Sequence, residues 1–440
     1  MKFKYTIITL SVLLLFACSS QESTVVDKKQ EKISDTVPVE AEVSAEVTYL
    51  NDHSEEIDYS NLNDLSDLHL LDSEIESYNM FFTGESHSVQ LNYPVQLKLL
   101  KYLHQKAGVT YYLAELPYAT GQFYNQYLQT GDESLLELTT LEADHSHIAT
   151  VEAVEFVKSI YQYNQSLNGK EPIRFVAIDA DSNLTTSFRY LDFLTKDLEV
   201  PLQLQGMFTE IKTIGSSKID YNSSHTPETT SFARKLNDDL LTNEQLYKDF
   251  LGVQYDEFKF VVENTIRGIE AFETFAKKGE GDFNVLREGY FTINFERNLS
   301  LLNENAKFFG EWGRNHTYLK TNRLQTGYSQ NIPRFAQVLN EQIDYTKGKV
   351  LSIPYVYHQS ELTNMGQKQS IPFKDNLLHK SLLIDSAKGD VTLYKLTGDN
   401  SPFDQSQFFV GVSKTKATTD YFQYLILIQN SEGATPYFAD

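Results

Sequence analysis

Two glutamates and two histidines stand at the ends of three short apolar runs that lie far apart in the chain. Phe81-Phe82-Thr83-Gly84 leads into Glu85, Ser86 and His87. Tyr111-Tyr112-Leu113-Ala114 leads into Glu115, and Phe308-Phe309-Gly310-Glu311-Trp312-Gly313-Arg314-Asn315 leads into His316. An imidazole beside a carboxylate is the usual apparatus for moving protons near neutral pH. The same four side chains (Glu85, His87, Glu115 and His316) are also acceptable ligands for a divalent first-row metal. Glu115 is flanked by Leu113-Ala114 and Leu116-Pro117, and a carboxylate in such a run is rarely buried without a partner or a task.

These residues converge only if the runs are strands of one sheet. Strands are expected at Met80–Gly84, Thr110–Ala114, Arg174–Ile178, Lys307–Glu311 and Lys349–Tyr355, with short late ones at Val391–Tyr394, Phe408–Val412 and Tyr424–Ile428. Leu97, Leu100 and Leu103 recur at helical spacing between the first two, and Gly108 is a stop signal. A strand, a helix and a strand within that length make a βαβ unit with parallel strands. Further helices are expected over Gly121–Leu128, Ile148–Gln165 and Ser187–Leu198. The fold class is therefore α/β, with a mostly parallel central sheet flanked by helices. Helical periodicity dominates Pro201–Asn305, predicting a helical insertion between the third and fourth strands. In such a sheet the strand C-termini share one edge, where ligands bind.

The first residues read as an export signal. Lys2 and Lys4 precede an apolar stretch, Thr6 to Ala17, that is too short to span a bilayer comfortably. Leu15-Phe16-Ala17-Cys18 resembles a bacterial lipobox, which would make Cys18, the single cysteine, a lipidated N-terminus. Residues 1–17 are then the signal peptide, 18–54 a polar tether, and 55–440 the folded domain. Ser19 after the cysteine favours the outer membrane of a bacterial envelope. With no further cysteine, disulfides and thiolate metal sites are excluded. The net charge is −22 from 38 basic and 60 acidic residues, and losing Lys2 and Lys4 makes it more negative still. That argues against nucleic acid and against an anionic membrane surface as partners.

There is no G-x-G-x-x-G, P-loop, G-x-S-x-G or H-E-x-x-H motif, so water is favoured over a covalent serine or cysteine intermediate. Taken together the segments resemble the erythromycin esterase family, in the wider group that includes ChaN-type haem-binding lipoproteins and the TIKI/TraB peptidases. The matching residues are Gly84-Glu85-Ser86-His87, Glu115 with Tyr118–Leu128, Phe175–Asp179, Arg287-Glu288 with Asn294, Trp312–His316, and the closing Tyr424–Ile428. One residue separates Glu85 from His87 where esterase members usually have two, a spacing closer to the ChaN and TIKI pattern.

The resemblance implies attack of water on an ester or lactone of a small molecule. His87, paired with Glu85 or Glu115, would be the base, and His316 the second catalytic group. Arg287 or the other imidazole would stabilise the oxyanion, and Glu288 would orient Arg287 or His316. Asp179, Asn294, Trp312 and Arg314 would bind substrate. No cofactor is expected on this reading. The alternatives the resemblance carries are a metal-dependent peptidase or hydrolase and a haem-binding or hydrophobic-ligand-binding lipoprotein without catalysis.

Overall fold

The computed structural model describes residues 44–140, 149–217, 225–321, 332–364, 366–372, 380–406 and 417–437. Cys18 and the lipobox, and the strand expected at Phe408–Val412, lie outside the described residues. Among the described residues, no helix is long and apolar enough to cross a membrane.

The strands are β1 (Ser54–Glu56), β2 (Met80–Glu85), β3 (Tyr111–Pro117), β4 (Arg174–Asp179), β5 (Phe308–Gly313), β6 (Val350–His358), β7 (Glu361–Asn364), β8 (Gln367–Ser370), β9 (Val391–Lys395) and β10 (Tyr424–Gln429). Eight of them form one sheet in the order β1-β9-β10-β6-β2-β5-β3-β4. The six from β10 to β4 run parallel, while β1 and β9 are antiparallel additions at one edge. β7 and β8 make a separate hairpin that no sequence signal indicated.

The helices before β4 are α1 (Ala45–Asp52), α2 (Asn92–Ala107), α3 (Tyr118–Thr130), α4 (Ser134–Thr140) and α5 (Val151–Ser166). Between β4 and β5 come α6 (Leu184–Thr195), α7 (Gln205–Gly215), α8 (Pro227–Thr242), α9 (Glu244–Leu251), α10 (Tyr255–Lys278) and α11 (Glu280–Leu299). After β5 come α12 (Phe335–Glu341) and α13 (Lys380–Asp385). α2 ends on Gly108, whose φ of 77° a residue with a Cβ seldom adopts.

Every residue of β2 is buried, as expected for a parallel strand covered on both faces. Alternation divides the apolar side chains between those faces. Phe81, Tyr112, Phe309 and Leu351 join Leu99 and Leu103 of α2 and Phe156 of α5 in one core. Met80, Phe82, Leu113, Phe308 and Trp312 join Phe291 and Phe295 of α11 and Phe335 of α12 in the other. The fold begins earlier than residue 55. Ser44 caps α1 by accepting from the Val47 amide at 3.3 Å, and Tyr49 and Leu50 bury against Tyr394, Leu425 and Leu427. Those two apolar residues sit in a polar stretch, which is why composition alone read the segment as tether.

The chain order reverses beside β2. β3 and β4 lie on one side of it and β6 on the other, with β5 inserted next to β2. Ligands in open α/β sheets bind outside the strand ends at such a switch point.

Candidate active site

The C-terminal ends of β2, β3 and β5 bring Glu85, His87, Glu115 and His316 to that edge. β2 and β5 are in register, with Glu85 opposite Gly313. β3 loses its regular pairing with β4 between Ala114 and Pro117. Such an irregularity re-aims a side chain, and Glu115 is the residue it re-aims. The turn Arg314–Thr317 then carries His316 back over the sheet. Gly84 serves a close approach. A Cβ there would lie 2.4 Å from Thr317 Oγ1 and 3.1 Å from Arg314 Cα.

Each imidazole is held through Nδ1 by its own carboxylate. His87 Nδ1 bonds Glu85 Oε1, and Glu85 Oε2 in turn accepts from Asn92 Nδ2. Asn92 Oδ1 accepts from the Tyr357 hydroxyl at 2.9 Å, and that hydroxyl accepts from the Ser86 amide at 3.0 Å. His316 Nδ1 lies 2.7 Å from Glu288 Oε1. Since a carboxylate oxygen only accepts, Nδ1 carries the proton in both rings.

Both rings face one point. A Cβ on Gly313 would sit 3.3 Å from His87 Nε2, 3.5 Å from His316 Cδ2 and 3.6 Å from Glu115 Oε2. The φ of Gly313 is −49°, which alanine also adopts. Gly313→Ala is therefore expected to fold with near-normal stability while placing a methyl between the imidazoles. Its signature is a lowered kcat with an unmoved melting temperature. An unchanged kcat would show that the point between the rings is not where substrate reacts.

Glu115 is the hub. Its Oε1 accepts from Arg287 Nη2 at 2.8 Å, its Oε2 accepts from the Gly313 amide at 2.8 Å, and His316 Nε2 lies 3.4 Å from Oε1. Burial alone would raise its pKa. His316, Arg287, His87 and the Gly313 amide outweigh burial and hold it near 2, so it is an anion too weakly basic to take a proton at neutral pH. Burial would lower the pKa of His87. Glu85 and then Glu115 outweigh that, against Arg287, and push it up to about 9.

The residues expected to contact substrate each have protein partners. Asp179 accepts from Arg287 through both oxygens, at 2.9 Å from Nε and 2.6 Å from Nη2, so it fixes the arginine. Asn294 is fully buried, donating to Ile178 O at 2.9 Å and Asn264 Oδ1 at 2.8 Å. Trp312 is fully buried too, with its indole N–H on Leu113 O at 2.8 Å and its ring stacked on Phe335. Arg314 donates to Tyr355 O at 3.2 Å. Arg287, expected as an oxyanion donor, is bound by two carboxylates. Among the described residues, no group of three or more His, Cys, Asp or Glu is placed to hold a metal ion. Of the four alternative ligands, Glu115 is already paired with Arg287.

Sequence reasoning missed Asn92, Tyr357 and Arg334, none of which sits in a motif. It also passed over Glu311, which alternation along β5 places two residues before Gly313 on the same face. Burial, reinforced by Glu85, pushes the Glu311 carboxyl well above the usual range, and its Oε2 accepts from Thr83 Oγ1 at 3.2 Å.

No protein-family model matches the chain, and no curated protein matches it. Solved structures do share its fold. A Bacillus cereus protein superposes with a TM-score of 0.64 at 17% identity, over 89% of this chain and 98% of its own. A succinoglycan biosynthesis protein gives 0.63 at 16%, over 88% and 97%. A mutant of the erythromycin esterase EreC in its open conformation gives 0.57 at 13%, over 85% and 95%. At such identities the likeness carries the fold alone.

Proposed function

We propose that this chain is an esterase-like hydrolase that uses its two carboxylate-backed histidines to direct water onto an ester or lactone carbonyl. The observation that carries the reading is the convergence of both imidazoles, each held at Nδ1, on the point above Gly313. The esterase among the structural neighbours is consistent with it.

The charge of His87 reverses the role expected for it from the motif. His87, pushed up to about 9, is an imidazolium at neutral pH. It therefore serves as the donor to the carbonyl oxygen, and His316 as the base. Water attacks the carbonyl carbon and gives its proton to His316 Nε2, while the oxyanion forms against His87 Nε2–H. The C–O bond then breaks, and the departing alkoxide takes a proton from an imidazolium. Glu115 and Arg287 hold the frame without exchanging protons.

A pH dependence follows. Because the pKa of His87 is raised, its acid form is complete well below 9 and is lost as pH rises through about 9. kcat/KM is expected to fall on that limb. In Glu85→Gln the principal raising influence disappears, so the limb should move toward lower pH. An alkaline limb at the same pH in both proteins would remove His87 from the acid role.

A panel of esters and lactones, assayed with and without chelator, tests the reaction class. Turnover that survives chelator supports the reading. Turnover abolished by chelator and restored by one metal would replace it with a metallohydrolase, and a Soret band on haem titration without turnover would replace it with a binding protein. We also propose that Cys18 is lipidated and holds the chain on the bacterial envelope, at the outer membrane. Cys18→Ser should then release it from the membrane fraction.

A further inference from the structure

Behind His316, on the side away from Glu115, a second arginine is buried. Arg334 precedes α12 as its cap residue, and its side chain is 4% exposed. Its Nη1 donates to Glu288 Oε1 at 3.0 Å, the same oxygen that accepts from His316 Nδ1 at 2.7 Å. One carboxylate oxygen thus takes two donors. Glu288 Oε2 and Arg334 Nη2 are buried without a hydrogen-bond partner among the described residues, so the contact is a single N–H···O bond and not a two-pronged clamp.

His316 consequently lies between two carboxylates, each with its own arginine. On the Nε2 side stand Glu115 and Arg287, and on the Nδ1 side Glu288 and Arg334. Arg287 has a second anchor in Asp179. Arg334 has only Glu288 as an ion-pair partner among the described residues. A buried carboxylate deprived of its cation takes up a proton or moves toward water. Either event removes the fixed acceptor that fixes the proton on Nδ1 of His316.

We propose that Arg334 is a positioning residue: by holding the Glu288 carboxylate, it fixes the orientation and tautomer of His316. Burial raises the Glu288 pKa, but His316 and then Arg334 bring it below the usual carboxylate range, in keeping with a permanent acceptor. The competing role is an anchor for α12. That role is already filled by Phe335, Ala336 and Leu339, all fully buried, with Phe335 packed on Trp312, Phe291 and Phe295. The effect on rate rests on the hydrolase reading, whereas the effect on the imidazole does not.

The test is the nitrogen NMR signature of the His316 ring in the full chain, read without substrate, beside steady-state kinetics. In Arg334→Met the single Nδ1–H form is expected to give way to a mixture, and kcat to fall roughly 10–100-fold, the usual range for a residue acting through a ligand-orienting neighbour. KM should stay within about twofold, since substrate meets neither residue. Arg334→Lys should restore the wild-type signature, because one donor and one charge suffice for a single contact. If Arg334→Met does not fold, Arg334→Gln replaces it, with the same expected mixture. A variant that lowers the melting temperature but keeps the wild-type ring signature overturns the proposal and leaves Arg334 as an anchor. If the wild-type chain hydrolyses no ester, the hydrolase reading fails, while the ring signature still decides the role of Arg334.

Discussion

Alanine at position 316 is expected to cut ester turnover by roughly 10²–10⁴-fold, the usual contribution of one general acid–base group. His316 is the imidazole with Glu288 at Nδ1 and Glu115 at 3.4 Å from Nε2, so it has an oriented ring to lose. The loss should appear in kcat and kcat/KM together, since the group acts in the transition state. Alanine at 87 should cost a comparable factor, and the double variant little more than the worse single one, because paired groups that serve one step do not add. Wild-type rates for both single variants would end the hydrolase mechanism. Glu288→Gln is the gentler companion: it keeps the shape of the acceptor, removes its charge, and should lie between wild type and alanine.

Replacing Arg287 by methionine is expected to destabilise the fold by roughly 3–5 kcal/mol, the range for removing one partner of a buried ion pair. The arginine is 21% exposed, and the two carboxylates that it serves, Glu115 and Asp179, are each under 10%. Its loss leaves both without a guanidinium in a place water reaches poorly. The pH dependence has a definite sign. The pKa of Glu115 is depressed to about 2, so its contribution to stability is full above its ordinary value of 4.5 and is lost as pH falls through about 2. The gap between wild type and variant should therefore be widest near neutral pH and narrow in acid. Denaturant midpoints at pH 7 and at about pH 3 measure it, and equal midpoints at pH 7 would show that the triad is not a stabilising unit. Arg287→Lys should recover only part of the difference, because a point charge cannot span Asp179 with two parallel bonds.

What the sequence made legible is the part governed by local pattern. Apolar runs ending in Glu85, Glu115 and Glu311-Trp312-Gly313 marked three parallel strands within three residues of their ends, and the sheet edge then placed the two imidazoles together. The misreadings share one cause. Trp312 sits between Gly310 and Arg314 on the face opposite Glu311, so strand alternation sends its ring into the core with Phe82 and Phe335. Reading the segment as a motif, and not as a strand of period two, gave it a ligand. The partners of Asn294 and Asp179 were not legible, because helix packing decides what a polar side chain meets, and packing between α11 and β4 leaves no local trace. Arg334 is the extreme case: it lies 46 residues from Glu288, in a segment whose composition is unremarked. Only three-dimensional proximity shows the pair.

The antiparallel margin of the sheet has a mechanical consequence. Tension arriving from the N-terminal side and transmitted through α1 passes to β1, which meets the sheet through three residue pairs with β9. A pull across such a short ladder opens it pair by pair, like a zip. β9, β10 and β6 stand between that margin and β2, whose end carries Glu85. A molecule tugged by its leading end would thus fray at its border long before the strands bearing the histidines felt the load, with β1 as a sacrificial seam.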